Sequence, residues 1–229
     1  RRHRGGRMEE SNGQTLLVLG GSGLVGMEVL RQALVNPAIS RVVAPSRSPL
    51  PMAVRHYSHL DNPQVDFAAL PEDADWWQAD AAICALGTTR QNAGSRDAFR
   101  AVDRGYVVSC ARHARRAGTR TFVLNSSLGA SPRSGSFYLR VKGEAEQDLA
   151  AMDFRSLTLI RPSLLDGARA ENRPGELVGL LLSRTFKPVI PKRLRAVKAG
   201  DVAAAMLQAA LMAPVGQHVI ESDAIVRRH

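Results

Sequence analysis

The stretch Thr15-Leu-Leu-Val-Leu-Gly20-Gly-Ser22-Gly23-Leu24-Val25-Gly26 decides the reading of the chain. A short apolar run ends in closely spaced glycines, and Leu24, Met27, Leu30 and Leu34 then recur at helical spacing. Strand, glycine turn and helix in that order are the context of a dinucleotide-binding turn. Each glycine has a physical task there: one permits the bend, one lets backbone N–H groups approach a pyrophosphate, and one lets helix and sheet pack closely. The phosphates sit at the helix N-terminus, where unpaired N–H groups and the helix dipole favour negative charge. The spacing is G-x-x-G-x-x-G over Gly20, Gly23 and Gly26.

Downstream the chain alternates apolar runs with helical patterns, which predicts an α/β protein of Rossmann type. Its doubly wound parallel sheet should have the order 3-2-1-4-5-6 and right-handed crossovers. Arg41-Val-Val-Ala-Pro45 reads as the second strand, Gln64-Val-Asp66-Phe67 as a short third, and Asp80 to Leu86 as the fourth. Arg120 to Asn125 and Leu157 to Arg161 read as the fifth and sixth, and His218-Val-Ile220 is a candidate seventh at the edge. Residues 48–63, with three prolines, read as irregular. A long helix carries Phe99, Val102, Tyr106, Val107 and Cys110, and closes on Arg112, Arg115 and Arg116 as a solvated face. An apolar helix is predicted over 177–182, a loop over 187–192, and a helix capped by Asp201 that runs to Met212.

Position assigns the cofactor contacts. In NAD binders an acidic residue about 20 residues past the glycines bonds the ribose 2′-hydroxyl. Here that place holds Ser46-Arg47-Ser48 and no carboxylate. A guanidinium binds a 2′-phosphate bidentately where a carboxylate would repel it, so the cofactor expected is NADP(H) rather than NAD(H). Asp66 and Phe67 would line the adenine pocket. Leu86, Gly87 and Thr88, at the end of the fourth strand, lie at the switch point where open parallel sheets bind ligands.

The second informative stretch runs from Ser126-Ser127 to Tyr138-Leu-Arg-Val-Lys142-Gly-Glu. From Tyr138 onward it reads as helix, which puts Tyr138 and Lys142 one turn apart on the same face. A phenol ionising near ~10 is a poor proton shuttle at neutral pH, and an adjacent ammonium stabilises its phenolate. A serine hydroxyl, from Ser126 or Ser127, can hold the substrate oxygen while Tyr138 transfers the proton and NADPH the hydride.

Composition limits the alternatives. A chain of 229 residues suits one domain with a core that needs no staples. Residues 1–13 read as a disordered leader, with Met8 as a candidate start. The domain spans 14–224, and its substrate region begins near 163. Without Arg1, Arg2, Arg4 and Arg7 the net charge of +10 falls to +6, spread along the chain. No aromatic-basic stripe accompanies it, so nucleic acid is not an expected partner. No apolar run approaches 18 residues, and neither a secretory signal nor a membrane span is predicted. Cys84 and Cys110 fall inside apolar patterns and read as buried thiols of a cytoplasmic protein. His56 and His59 have no third ligand nearby, so no metal site is predicted.

These motifs resemble the atypical short-chain dehydrogenase/reductases, in particular the Tat-interacting-protein-like oxidoreductase branch. The likeness rests on Gly20 to Gly26, Leu86-Gly-Thr-Thr-Arg90 with Ala93-Gly94, Val102-Asp103, Ser126-Ser127-x-Gly129-Ala130, Phe137 to Glu144, and Arg161-Pro162 followed by Arg173-Pro-Gly-Glu176. It covers roughly residues 15–222. It implies NADP(H) on a Rossmann domain and a Ser–Tyr–Lys site in which Lys142 also reaches the nicotinamide ribose. Pro162 falls among the cofactor contacts. The interval from serine to Tyr138 is slightly shorter than in the main branch. The resemblance is also compatible with a cofactor-binding regulator of a partner protein that senses redox state without turnover.

Overall fold

The computed structural model describes residues 13–88, 90–166 and 196–226. The expected leader, Thr89, the stretch from Arg173 to Glu176, the helix over 177–182 and the loop over 187–192 lie outside the described residues. Strand β1 (Gln14–Leu19) leads into helix α1 (Leu24–Leu34) and strand β2 (Ile39–Val43). Then come α2 (Met52–Arg55), β3 (Leu60–Asp61) and β4 (Ala81–Cys84). Helices α3 (Arg90–Ala93) and α4 (Arg96–Arg100) are next; a turn of π-helix (Ala101–Tyr106) joins α4 to α5 (Val107–Arg116). β5 (Thr121–Asn125), α6 (Phe137–Ala150), β6 (Ser156–Arg161), β7 (Leu165–Asp166) and β8 (Val197–Lys198) succeed them. The described chain closes with α7 (Ala199–Met212), β9 (Gly216–Glu221) and α8 (Ser222–Val226).

The main sheet has seven strands in the order β3-β2-β1-β4-β5-β6-β9, and every pairing is parallel. This is the predicted doubly wound order with the seventh strand at the edge. β1 shows why the apolar runs form it. Leu16 and Val18 face the cluster packed by α1 and α7, whereas Leu17 and Leu19 face the one packed by α5 and α6. A central parallel strand is buried on both faces and so reads as continuously apolar. Cys84 and Cys110 are free and buried, and burial pushes the Cys84 thiol up to about 12.

Several local expectations need correction. The third strand is Leu60–Asp61; beyond it, pairing persists only as a bridge between Ser46 and Gln64. Pro63 has no N–H to donate, and Asp66 opens a turn instead, its Oδ1 accepting from the Ala68 N–H at 2.9 Å. Residues 48–63 are not wholly irregular, since they hold α2 and β3. Asp201 is not the cap of α7: β8 runs straight into that helix at Ala199, and Asp201 lies in its first turn. Asp201 there complements the helix dipole. The long helix starts at Ser95, whose hydroxyl accepts from the Ala98 N–H at 3.0 Å, and its π turn leaves Val102 and Tyr106 half-buried while Asp103 is buried.

Candidate functional site

The glycine turn is built as its spacing predicted. Gly20 has φ +86°, a left-handed conformation, and a Cβ on it would lie 2.7 Å from the backbone of Ala85 and Leu86. A Cβ on Gly26 would lie 2.0 Å from the Gly20 carbonyl oxygen, so α1 starts in backbone contact with the turn. At Gly23 the space is open: a Cβ there would meet only Gly20 O, at 3.4 Å. Gly23 caps α1 with no side-chain hydrogen bond, and Ser22, Gly23 and Leu24 are exposed. Among the described residues no side chain accepts from the first-turn N–H groups of this eleven-residue helix. Val25 is buried and packs α1 onto the sheet.

Arg47 is exposed at the end of β2, and among the described residues no ion pair or hydrogen bond engages its guanidinium. Ser46 is buried, and its hydroxyl is used internally: it donates to Ser48 O and accepts from Asn62 Nδ2. Asp66 is exposed, while Phe67 is buried and stacks on Tyr106 with ring centroids 6.0 Å apart. Phe67 thus serves mainly the core, and Asp66 is the member of that pair that faces solvent.

Tyr138 and Lys142 stand on α6 as predicted. Gly143 lets this helix lie directly on the Ser131–Pro132 backbone, where a Cβ would come within 2.2 Å of Ser131 C. Tyr138 is half-buried with its ring 5.6 Å from that of Phe99. Lys142 is buried, and its Nζ lies 2.8 Å from Asp103 Oδ1. Asp103 Oδ2 accepts from the Thr88 N–H at 2.8 Å, and a Cβ on Gly87 would lie 3.5 Å from Nζ. The segment Leu86, Gly87 and Thr88 is thereby joined to α6. Burial disfavours the ammonium, but the nearby Asp103 carboxylate and Tyr138 outweigh it, and the Lys142 pKa stands above its ordinary value.

The two serines separate cleanly. Ser126 donates to Glu146 Oε1 at 2.5 Å, and Glu146 is clamped by Arg161 through Nε at 3.0 Å and Nη2 at 2.5 Å. The hydrogen bonds that the guanidinium donates to Glu146, with the carboxylate charge, raise the Arg161 pKa. Ser127 is also buried, but its hydroxyl has no partner among the described residues. Pro162, buried after β6, accepts from the Leu128 N–H at 2.9 Å and fixes the loop that carries both serines. The residue not singled out from sequence as part of this site is Asp103. Its signal was present as an acid inside an apolar helical run, but ordinary helical spacing did not point it inward.

Fold and site together define a Rossmann-type nucleotide-binding protein with a Tyr–Lys pair at the C-terminal ends of β4 and β5. No family model matches the chain. The rat protein HTATIP2 is 36% identical over 218 residues, which cover 93% of this chain and 88% of that protein. The Aspergillus clavatus protein fmp52, mitochondrial, is 37% identical over 169 residues, covering 69% and 70%. Among solved structures, MoeE5 in complex with UDP-glucose and NAD superposes with a TM-score of 0.67 at 19% identity, over 94% of this chain and 80% of that one, a likeness of fold. The chain belongs to the HTATIP2/FMP52 family of atypical short-chain dehydrogenase/reductases. The expected cytoplasmic location is overturned, because the fungal relatives are mitochondrial proteins by name. Among the described residues no helix is long and apolar enough to cross a membrane.

Proposed function

We propose that the protein is an NADP(H)-dependent oxidoreductase that reduces a carbonyl-type small molecule, using Tyr138, Lys142 and Ser127. The observation that carries this reading is the buried Lys142 ammonium, set against Gly87 and one helical turn from Tyr138. The cradle fits the cofactor: Gly23 leaves open space before uncapped N–H groups, and the NAD held by MoeE5 agrees with a nicotinamide nucleotide. Gly20, Ser22, Gly23, Leu24 and Gly26 would hold the pyrophosphate, Arg47 the 2′-phosphate, and Leu86 to Thr88 with Pro162 the nicotinamide end. When bound, the cofactor supplies the hydride. Tyr138 gives its phenolic proton to the substrate oxygen. Lys142 holds the nicotinamide ribose and stabilises negative charge on the Tyr138 oxygen. Ser127 orients the substrate oxygen with its hydroxyl.

Three variants exploit the chain's own asymmetries. Arg47→Ala should weaken NADPH binding about tenfold to a hundredfold and leave NADH binding nearly unchanged, as befits a charge-assisted bond to one phosphate. Calorimetric titration with both cofactors checks it, and equal losses would remove Arg47 from its role. The serines should behave oppositely. Ser127→Ala should cut turnover roughly 10²-fold with an unchanged melting temperature. Ser126→Ala leaves buried Glu146 short of a donor, so it should cost ~1.5–3 kcal/mol of stability and little turnover. Turnover is read as NADPH oxidation in a screen of aldehydes, ketones and quinones, and stability by thermal unfolding.

A further inference from the structure

We infer that Asp103 is the positioning residue of this site: its buried carboxylate holds Lys142 charged and seated against Gly87, and so sets the pH range over which the cofactor is bound. The inference rests on the reading of Lys142 as the cation that meets the cofactor.

Asp103 is 1% exposed, which for a carboxylate demands compensation. The turn of π-helix supplies the geometry, because its wider winding brings Asp103 inward between the buried Phe99 and Val107. Both carboxylate oxygens are then committed. Oδ2 takes the Thr88 N–H, and Oδ1 faces Nζ at 2.8 Å while accepting no other hydrogen bond. One side chain thus ties the segment after β4 to the cation on α6. Gly87 puts no side chain beside the pair, and a Cβ there would lie 3.2 Å from Oδ1.

The titratable groups around Lys142 come from three elements. Asp103 faces it from the π turn, Cys84 from β4, and Tyr138 from its own helix. Burial pushes the Cys84 thiol up, and Asp103 is the carboxylate among them. With Asp103 present, the Lys142 pKa stands above the ordinary lysine value despite its burial. Asp103→Asn keeps an oxygen for the Thr88 N–H but removes the charge. Burial then prevails and draws the Lys142 pKa below the ordinary lysine value. The variant should therefore lose its ammonium, and with it cofactor affinity, as pH rises.

The test follows both quantities in the full chain. There are four lysines, so the ¹³Cε resonance of Lys142 can be assigned by its absence in Lys142→Arg and titrated with pH. In the wild type it should keep its ammonium shift after the other three have titrated. In Asp103→Asn it should titrate before them. NADPH affinity, read by fluorescence, should then fall about tenfold per pH unit in the variant through that range, since only the protonated form binds well. Wild-type affinity should stay within about twofold. A wild-type Lys142 that titrates with the other lysines overturns the proposal without any variant. So does an Asp103→Asn affinity loss equal at every pH, which would mark a merely structural residue. A wild type that binds no NADPH while Lys142 titrates as expected contradicts the oxidoreductase reading but supports the ion pair, so the two failures are told apart.

Discussion

Replacing Tyr138 with phenylalanine is expected to lower turnover by roughly 10²–10⁴, the contribution of positioned general acid–base catalysis. The change removes one hydroxyl and keeps the ring that packs 5.6 Å from Phe99, so the start of α6 should stay in place. NADPH affinity should remain close to wild type, because the glycine turn, Arg47 and Lys142 are untouched. Lys142→Ala differs in kind. It should lose turnover and cofactor affinity together, since its ammonium acts on both the Tyr138 oxygen and the ribose. Steady-state rates and fluorescence titrations on the two variants separate these patterns. Wild-type turnover in Tyr138→Phe would remove Tyr138 from the chemistry, whatever the fold.

The second large effect concerns Gly26→Ala. A Cβ there would stand 2.0 Å from Gly20 O and 2.7 Å from its carbonyl carbon, and both are backbone atoms. No side chain can swing aside, so α1 must move off the turn that positions its N-terminus. Overpacking of this kind costs about 1–3 kcal/mol or more. The moved N–H groups also lose their aim at the phosphates, and NADPH affinity should drop by more than about 10². Gly135→Ala is the control, because nothing lies within 4 Å of its Cβ position and both measurements should hold. Thermal unfolding with a binding titration reads the pair. An unchanged affinity in Gly26→Ala would mean that the close approach of α1 to the turn is dispensable for binding.

How much of the fold and site was legible in the sequence depended on whether the deciding forces were local. Leu16 to Leu19 announced a central parallel strand because both of its faces are buried, and Gly20 and Gly26 announced the turn because only glycine tolerates their contacts. The pairing of Tyr138 with Lys142 came from four-residue spacing on one helix. Asp103 stayed hidden because the π turn breaks the spacing that a regular helix imposes; counted along an ordinary helix, Val102 and Tyr106 looked inward instead. The choice between Ser126 and Ser127 was not local either. It is made by Glu146 from α6 and Arg161 from β6, which capture the first hydroxyl and leave the second. The third strand was misplaced because Asn62 bonds Ala44 O and Ser46 Oγ with its side chain, and so takes over part of the pairing between β2 and the residues after β3. The two-residue strands β7 and β8 are too short to leave a pattern, and pair across a long sequence interval.

The central claim is that the glycine turn and the Tyr138–Lys142 face form a single site for one cofactor. A crystal structure of the complex with NADPH tests it most directly. The account predicts the pyrophosphate at the N–H groups of the first turn of α1, the 2′-phosphate on Arg47, the ribose on Lys142, and the nicotinamide beside Tyr138. Density for NADPH elsewhere, or a nicotinamide turned away from Tyr138 with Lys142 still locked to Asp103 and touching no ribose, would contradict it.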